Sequence, residues 1–174
     1  MRKNIILSYS LALLAIFIWS VTFVSTKILL AHLSPTEILF YRYVIAYLLF
    51  FAASPKIIWP LNSRDEAKFA LAGFLGVTLY FLCENFALSF STASNVSLLV
   101  ATAPMLTGLV SHFMTKNERI SVNFIYGCVF GLAGVFLIVF NGHFVLKLNP
   151  VGDILAIIAA LSFAFYSIII RDLN

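Results

Sequence analysis

Leu11-Ala12-Leu13-Leu14-Ala15, running on through Trp19 to Lys27, is met again 144 residues later as Leu155-Ala156-Ile157-Ile158-Ala159, running on through Phe163 to Arg171. Leu and Ala fall on Leu and Ala, an aromatic on an aromatic and a cation on a cation. Each copy lies in an apolar run long enough to cross a bilayer, and the second begins five spans after the first. An odd number obliges the second copy to enter the membrane from the opposite face. Inverted repeats of this kind are a recurring construction of secondary transporters. The expected fold class is therefore an all-α membrane protein that starts its own architecture a second time, upside down.

Composition supports that solvent assignment. The 174 residues are 62% hydrophobic and only 10% charged, with a mean hydropathy of +1.04, which fits a chain solvated by lipid and excludes a water-soluble domain. The net charge of +4 comes from eleven Lys and Arg scattered between apolar runs. Such scatter reads as topology signalling and not as a nucleic-acid surface. Cys83 and Cys128 both fall inside apolar runs, with no CxxC spacing and no disulfide framework. Arg2-Lys3 before an apolar run resembles a signal peptide, yet the run continues to about Leu30 without a small-residue cleavage site, so it reads as a retained first span.

Since a span needs about 20 apolar residues, six predicted transmembrane helices emerge, at 6–31, 36–54, 67–90, 95–114, 121–141 and 152–170. Two longer connections, Ser54 to Lys68 and Asn141 to Gly152, hold Pro, Asn and much of the remaining charge and read as surface loops. With the amino terminus inside, Arg2, Lys3, Lys56, Arg64, Lys68, Lys116, Arg119 and Arg171 all lie on the cytoplasmic side, against Lys147 alone outside. The positive-inside rule favours that orientation, with both termini cytoplasmic. Trp59 and Tyr9 fit interfacial belts and carry no functional weight. Pro104, near the middle of the fourth helix, predicts a kink that shapes a cavity or simply bends the helix. Gly127-x-x-x-Gly131, followed by Gly134, predicts a face for close helix packing.

Charges inside the membrane are the sharpest functional signal, because each costs several kcal/mol and turns to the bundle interior or to water. Lys27, Arg42 and Glu84 each stand about six residues from the outer end of a helix, hence about 9 Å deep in one layer. Two cations and one anion there provide either a place for a substrate carboxylate or phosphate or a gating ion pair. The bland alternative has Lys27 and Arg42 reaching to the headgroups while Glu84 satisfies one of them. Glu84 is also a candidate proton site. Asn85 and Asn95 bracket the outer connection Ser89 to Ser94, where Ser94 or Asn95 suits the N-cap of the fourth helix; the same helix start would assist anion binding if exposed. Trp19 is a cavity-lining candidate, with lipid contact or packing as alternatives. His32, His112 and His143 lie at helix ends or in loops without HExxH, paired acids or a partner cysteine, and no glycine run forms a phosphate loop. The reading is therefore not an enzyme, with no cofactor, no metal and no nucleic-acid partner.

Ile18-Trp19-Ser20-Val21-Thr22-Phe23-Val24-Ser25-Thr26-Lys27 and then Phe40-Tyr41-Arg42-Tyr43 resemble the opening of an EamA-type repeat of the drug/metabolite transporter superfamily. The run from Glu84-Asn85-Phe86-Ala87-Leu88 through Ser94-Asn95-Val96-Ser97-Leu98-Leu99, then Ala103-Pro104 and Glu118-Arg119-Ile120, continues the resemblance over nearly the whole chain. It implies a bacterial inner-membrane carrier, often an exporter of amino acids or related small metabolites, with ten helices in two inverted five-helix repeats around a central cavity. Trp19, Lys27, Arg42, Glu84, Asn95 and Pro104 would line or gate that cavity. On this basis 1–141 is the first repeat and 142–174 an outer loop plus the first helix of a second, truncated repeat. That sixth helix is expected to lack its own repeat's packing partners. Three explanations are expected: a truncated or fragmentary sequence, a natural short protein that pairs with another chain, or a broken gene; the first and the last are preferred, because a designed half would end near Asn141. If the chain acts by itself, it does so as a homodimer or with a complementary half. The alternative from another class is a non-transporting membrane fragment or assembly partner, in which the charges only hold helices together.

Overall fold

The computed structural model describes residues 2–55, 62–115, 120–139 and 149–173, with the side chains of 2–6, 135–136 and 138–139 excepted. All regular structure among these residues is helical: α1 (Arg2–Leu29), α2 (Pro35–Ala53), α3 (Ser63–Phe90), α4 (Ala93–Met114), α5 (Val122–Val139) and α6 (Pro150–Arg171). Five of them are long and apolar enough to cross a membrane; α5 is equally apolar but shorter, over Val122–Gly134. The six expected spans thus reappear as six helices. Lys56, Trp59, Lys116, Arg119, His143 and Lys147 lie outside the described residues, as do the side chains of Arg2 and Lys3.

Local sequence explains where the helices begin. Ser34 opens α2 with a capping box, its hydroxyl accepting from Glu37 N–H while Glu37 Oε2 accepts from Ser34 N–H at 2.8 Å, and Pro35 follows at the first helical position. Asn149 opens α6 in the same way, its Oδ1 accepting from the N–H groups of Val151 and Gly152, with Pro150 next. For α4 the cap is Thr92, whose Oγ1 accepts from Asn95 N–H at 3.2 Å. The expected caps, Ser94 and Asn95, are already inside the helix, because Thr92 has the extended backbone that a capping residue needs.

The centre of the bundle is α6. Its buried positions Gly152, Ala156, Ala159, Ala160 and Ala164 recur at helical spacing and form a narrow small-residue stripe. A Cβ at Gly152 would stand 2.9 Å from Ser91 Cβ, so the start of α6 presses directly on the end of α3. Without the helices that would follow it in a second repeat, α6 packs along α3 and both halves of α4. The core joins Phe23, Tyr80, Cys83, Ala87, Leu88, Val96, Val100, Ala156 and Ala159 from four helices. By contrast α1 and α2 expose most of their large apolar residues, as lipid-facing helices do.

Close approach through glycine occurs, but not where the GxxxG spacing placed it. Gly127 and Gly134 have open space around them, and Gly131 meets only Met105 Cε, at 3.3 Å. The contacts that exclude a Cβ are Gly76 against the Tyr166 ring, Gly108 against the Phe124 ring and Gly152 against Ser91. Spacing marks a small-residue face; whether another helix covers it depends on the neighbours, and among the described residues only Gly131 of this face is approached, by Met105 of α4.

Two irregularities interrupt long helices. At Pro104 the predicted kink is a full break: α4 divides into Ala93–Val100 and Ala103–Met114, with a turn at Ala101-Thr102. Proline cannot donate to the carbonyl four residues back, and the Thr102 hydroxyl donates to Leu99 O at 2.6 Å. In α3 a π-turn spans Phe74–Leu79, which the sequence did not announce. There Ser162 of α6 donates its hydroxyl to Leu75 O at 2.7 Å, and Gly76 admits the Tyr166 ring. Side-chain insertion of this kind is a known cause of wide turns.

Candidate functional site

Trp19, Tyr80 and Phe163 meet at the middle of the bundle. Their ring centroids are 6.5 Å apart for Trp19 and Tyr80, 5.7 Å for Trp19 and Phe163, and 5.6 Å for Tyr80 and Phe163. Aromatic pairs at such separations and tilts attract beyond simple burial. These rings, with Phe23, Ser97, Val100, Ala101 and the break at Pro104, line a cavity of about 420 Å³. That is the size range of a small-molecule pocket. Trp19 remains partly exposed towards it, at 39%. The interruption of α4 at Ala101 and Thr102 borders the cavity wall, where Ala101, Ala103 and Pro104 line it. Trp19 and Pro104 are thus brought together in its wall, while Lys27, Arg42, Glu84, Asn85 and Asn95 stand outside its lining.

From this wall an aromatic path leads to the buried charges. Tyr80 packs edge-on against Phe81 at 4.7 Å, and Tyr43 of α2 lies 5.8 Å from Phe81 on its other side. The Arg42 guanidinium lies 5.1 Å over the Phe81 ring and donates to Thr26 Oγ1 at 2.9 Å, a cation on an aromatic face with one hydrogen bond. One turn beyond Tyr80 is Glu84, fully buried, with neither carboxylate oxygen bonded among the described residues. The Tyr80 hydroxyl and Asn85 Oδ1 are likewise buried and unbonded. Asn85 uses its amide nitrogen on Pro35 O at 3.1 Å, fastening α3 to the start of α2.

The expected single layer of three charges resolves into two places. Arg42 and Glu84 share the junction of α1, α2 and α3. Lys27 instead donates to Leu88 O at 2.5 Å and Ser91 O at 2.7 Å, capping the carboxyl end of α3. That position suits a cation in the field of the helix dipole, and it accounts for Lys27 without headgroups.

Beside this cap is a polar clasp that the sequence reading missed. Asn95 Nδ2 donates to Asp153 Oδ1 at 2.6 Å and to Ser91 Oγ at 3.1 Å, while Asn149 Nδ2 donates to Phe90 O at 3.0 Å. Asp153 was visible as an acidic residue in the first turn of an apolar helix, but its partner is 58 positions away. At the opposite end Arg171 donates to Ser111 Oγ at 3.2 Å and Thr115 Oγ1 at 2.8 Å. The end of α1 and the start of α6 therefore meet at Phe90 and Ser91, and the end of α6 lies by the end of α4. The two matching stretches run in opposite directions. His32 follows α1 in a turn, His112 packs its ring on Phe113 at 5.4 Å, and the described residues hold no group of three metal-binding side chains.

Comparison with known proteins accords with this arrangement. Residues 6–140 match the EamA-like transporter family. An uncharacterized transporter of Archaeoglobus fulgidus is 29% identical over 173 residues, covering 93% of this chain and 56% of its own. The uncharacterized transporter YdfC of Bacillus subtilis is 30% identical over 172 residues, covering 95% and 54%, and one of Helicobacter pylori is 26% identical over 181 residues, covering 100% and 58%. No solved structure gives a significant match. The chain spans a little over half the length of these relatives. With apolar helices able to cross a bilayer and a family match over most of its residues, it is a multi-pass membrane protein that belongs to the EamA-like transporter family.

Proposed function

We propose that the chain forms the first inverted repeat, over 1–141, and the opening helix of the second, over 142–174, of a ten-helix alternating-access carrier that exports small organic metabolites such as amino acids. The observation that carries this reading is the cavity at Trp19, Tyr80, Pro104 and Phe163. It lies where α1 and α6, the two helices with matching sequence and opposite direction, bring equivalent aromatic positions together. In carriers built from inverted repeats, the solute site lies at the repeat interface near the bilayer midplane, beside interrupted helices. Trp19 and Pro104 are then cavity residues, Arg42 and Glu84 gate or sense charge behind the wall, and Lys27, Asn85 and Asn95 hold the frame. The bacterial inner membrane with both termini cytoplasmic fits the cation distribution; Arg64, Lys68 and Arg171 belong to one end of the bundle. A homodimer or a complementary half supplies the remaining wall.

The test is solute flux in vesicles containing the full chain, alone and co-inserted with the remaining helices of a relative, across amino acids and small organic cations. Saturable flux that is lost on filling the cavity by Ala101→Trp supports the reading. Correctly inserted protein that moves nothing in either preparation leaves the alternative, a non-transporting assembly partner.

A further inference from the structure

Glu84 presents a problem that the carrier reading leaves unsolved. Its side chain is fully buried, and both carboxylate oxygens lack a hydrogen-bond partner among the described residues, as does the hydroxyl of Tyr80 one turn earlier. Buried polar groups are ordinarily bonded, and an unbonded buried carboxylate is among the costliest to keep ionised. We propose that Glu84 is the proton-binding site of this carrier, and that Tyr80, whose ring walls the solute cavity and whose hydroxyl stands beside the Glu84 carboxyl, links its proton to solute occupancy. The proposal rests on the transporter reading for its use, but not for its chemistry: a carboxylate oxygen of Glu84 takes one proton and later releases one.

The groups around Glu84 come from every neighbouring helix: from α2, Arg42 and Tyr43; from α1, Thr26, which already holds Arg42, and Lys27, which is bonded to the α3 carbonyls. The helix α6 brings Tyr166 and Asp153, the latter held by Asn95; α4 carries only His112, at its far end; and α3 itself adds Cys83 and Tyr80. Glu84 is fully buried, and Arg42 is committed to Thr26 Oγ1 and the Phe81 face instead of pairing with it. A buried carboxyl without a direct ion pair is a place where a proton can bind and leave. Arg42 would repel a metal cation, and among the described residues no second acidic side chain stands in the site.

The Tyr80 ring is the route by which the cavity reaches this proton. Of the groups nearest Glu84, Tyr80 is the one that also lines the cavity. A solute pressed against Trp19 and Phe163 touches that ring and moves its hydroxyl relative to the carboxyl. The π-turn Phe74–Leu79 ends immediately before Tyr80, so the wide turn sets the register of its ring against the cavity.

The experiment is infrared difference spectroscopy of the full chain in lipid vesicles as pH is varied, in the native protein and in Glu84→Gln, Glu84→Asp and Tyr80→Phe. A protonated-carboxyl band that comes and goes with pH is expected in the native protein, lost in Glu84→Gln, retained in Glu84→Asp and shifted in midpoint by Tyr80→Phe. A native-minus-Gln difference that shows no pH-dependent band overturns the proton site, and an unmoved midpoint in Tyr80→Phe overturns the link. Replacing sodium by choline at fixed pH is expected to change nothing; a band that follows sodium replaces the proton with a metal ion. No flux enters this measurement, so vesicles that move no solute yet show the Glu84 band sink the carrier reading alone.

Discussion

Trp19 and Phe163, 144 positions apart and equivalent in the internal sequence match, stand with ring centroids 5.7 Å apart, and each packs on Tyr80. In the inverted repeat proposed above, two copies related by an axis in the membrane plane would meet themselves only near that axis, and contact between equivalent residues would fall there. The cavity opens at the same place.

Such a three-ring cluster predicts coupled energetics. Trp19→Ala and Phe163→Ala should each destabilise the helix bundle, and the double mutant should lose less than the sum. The coupling expected for an aromatic pair is about 0.5 to 1.5 kcal/mol, read from unfolding in mixed detergent. Strict additivity would mean the rings do not meet.

Lys27 predicts a different outcome. Lys27→Met removes two charge-assisted bonds from the end of α3 and should cost about 2 kcal/mol. Amide exchange should quicken around Ser89 to Thr92 while exchange at Arg42 and its neighbours stays as before. If Lys27 instead reached the headgroups, the loss would be small and would depend on lipid charge.

Asn95 and Asp153 admit a swap test. Asn95→Asp sets two carboxyl groups together at the junction of α3, α4 and α6 and should destabilise by more than the ~1 to 3 kcal/mol expected for leaving one partner unbonded in Asn95→Ala. Adding Asp153→Asn restores an amide facing a carboxylate and should recover most of that loss. A double mutant no better than Asn95→Asp alone would rule out the clasp.

The glycines separate what sequence told from what it withheld. Gly76→Ala drives a methyl group into the Tyr166 ring and should cost about 1 to 3 kcal/mol, relieved by Tyr166→Leu. Gly127→Ala meets open space and should be neutral or stabilising by up to ~1 kcal/mol, the difference in helix propensity. Equal losses at both positions would refute the packing described. Helix number, opposed direction and the interruption at Pro104 were legible because hydropathy and proline act locally. The Gly76 contact, the π-turn and the Lys27 cap were not, since each depends on which helix lies alongside. Asp153 was overlooked for the same reason: an acid at a helix start needs no partner in water, and only the fold brings Asn95 to it.

Pro104 gives the last prediction, because the break in α4 stands in the cavity wall. Pro104→Ala restores an N–H able to bond Val100 O and allows Ala93 to Met114 to run as one helix. Removing a proline from a helix interior is worth up to about 3 kcal/mol of stability, so the variant should be as stable as the native protein or more so. Its cavity should narrow as the backbone at Ala101 and Thr102 straightens, and saturable flux should fall. Spin-label distances between the two halves of α4 would record the straightening. A variant that straightens yet transports normally would separate the break from the solute path; one that keeps the break would show that Thr102 and the packing of α6 hold the bend without proline.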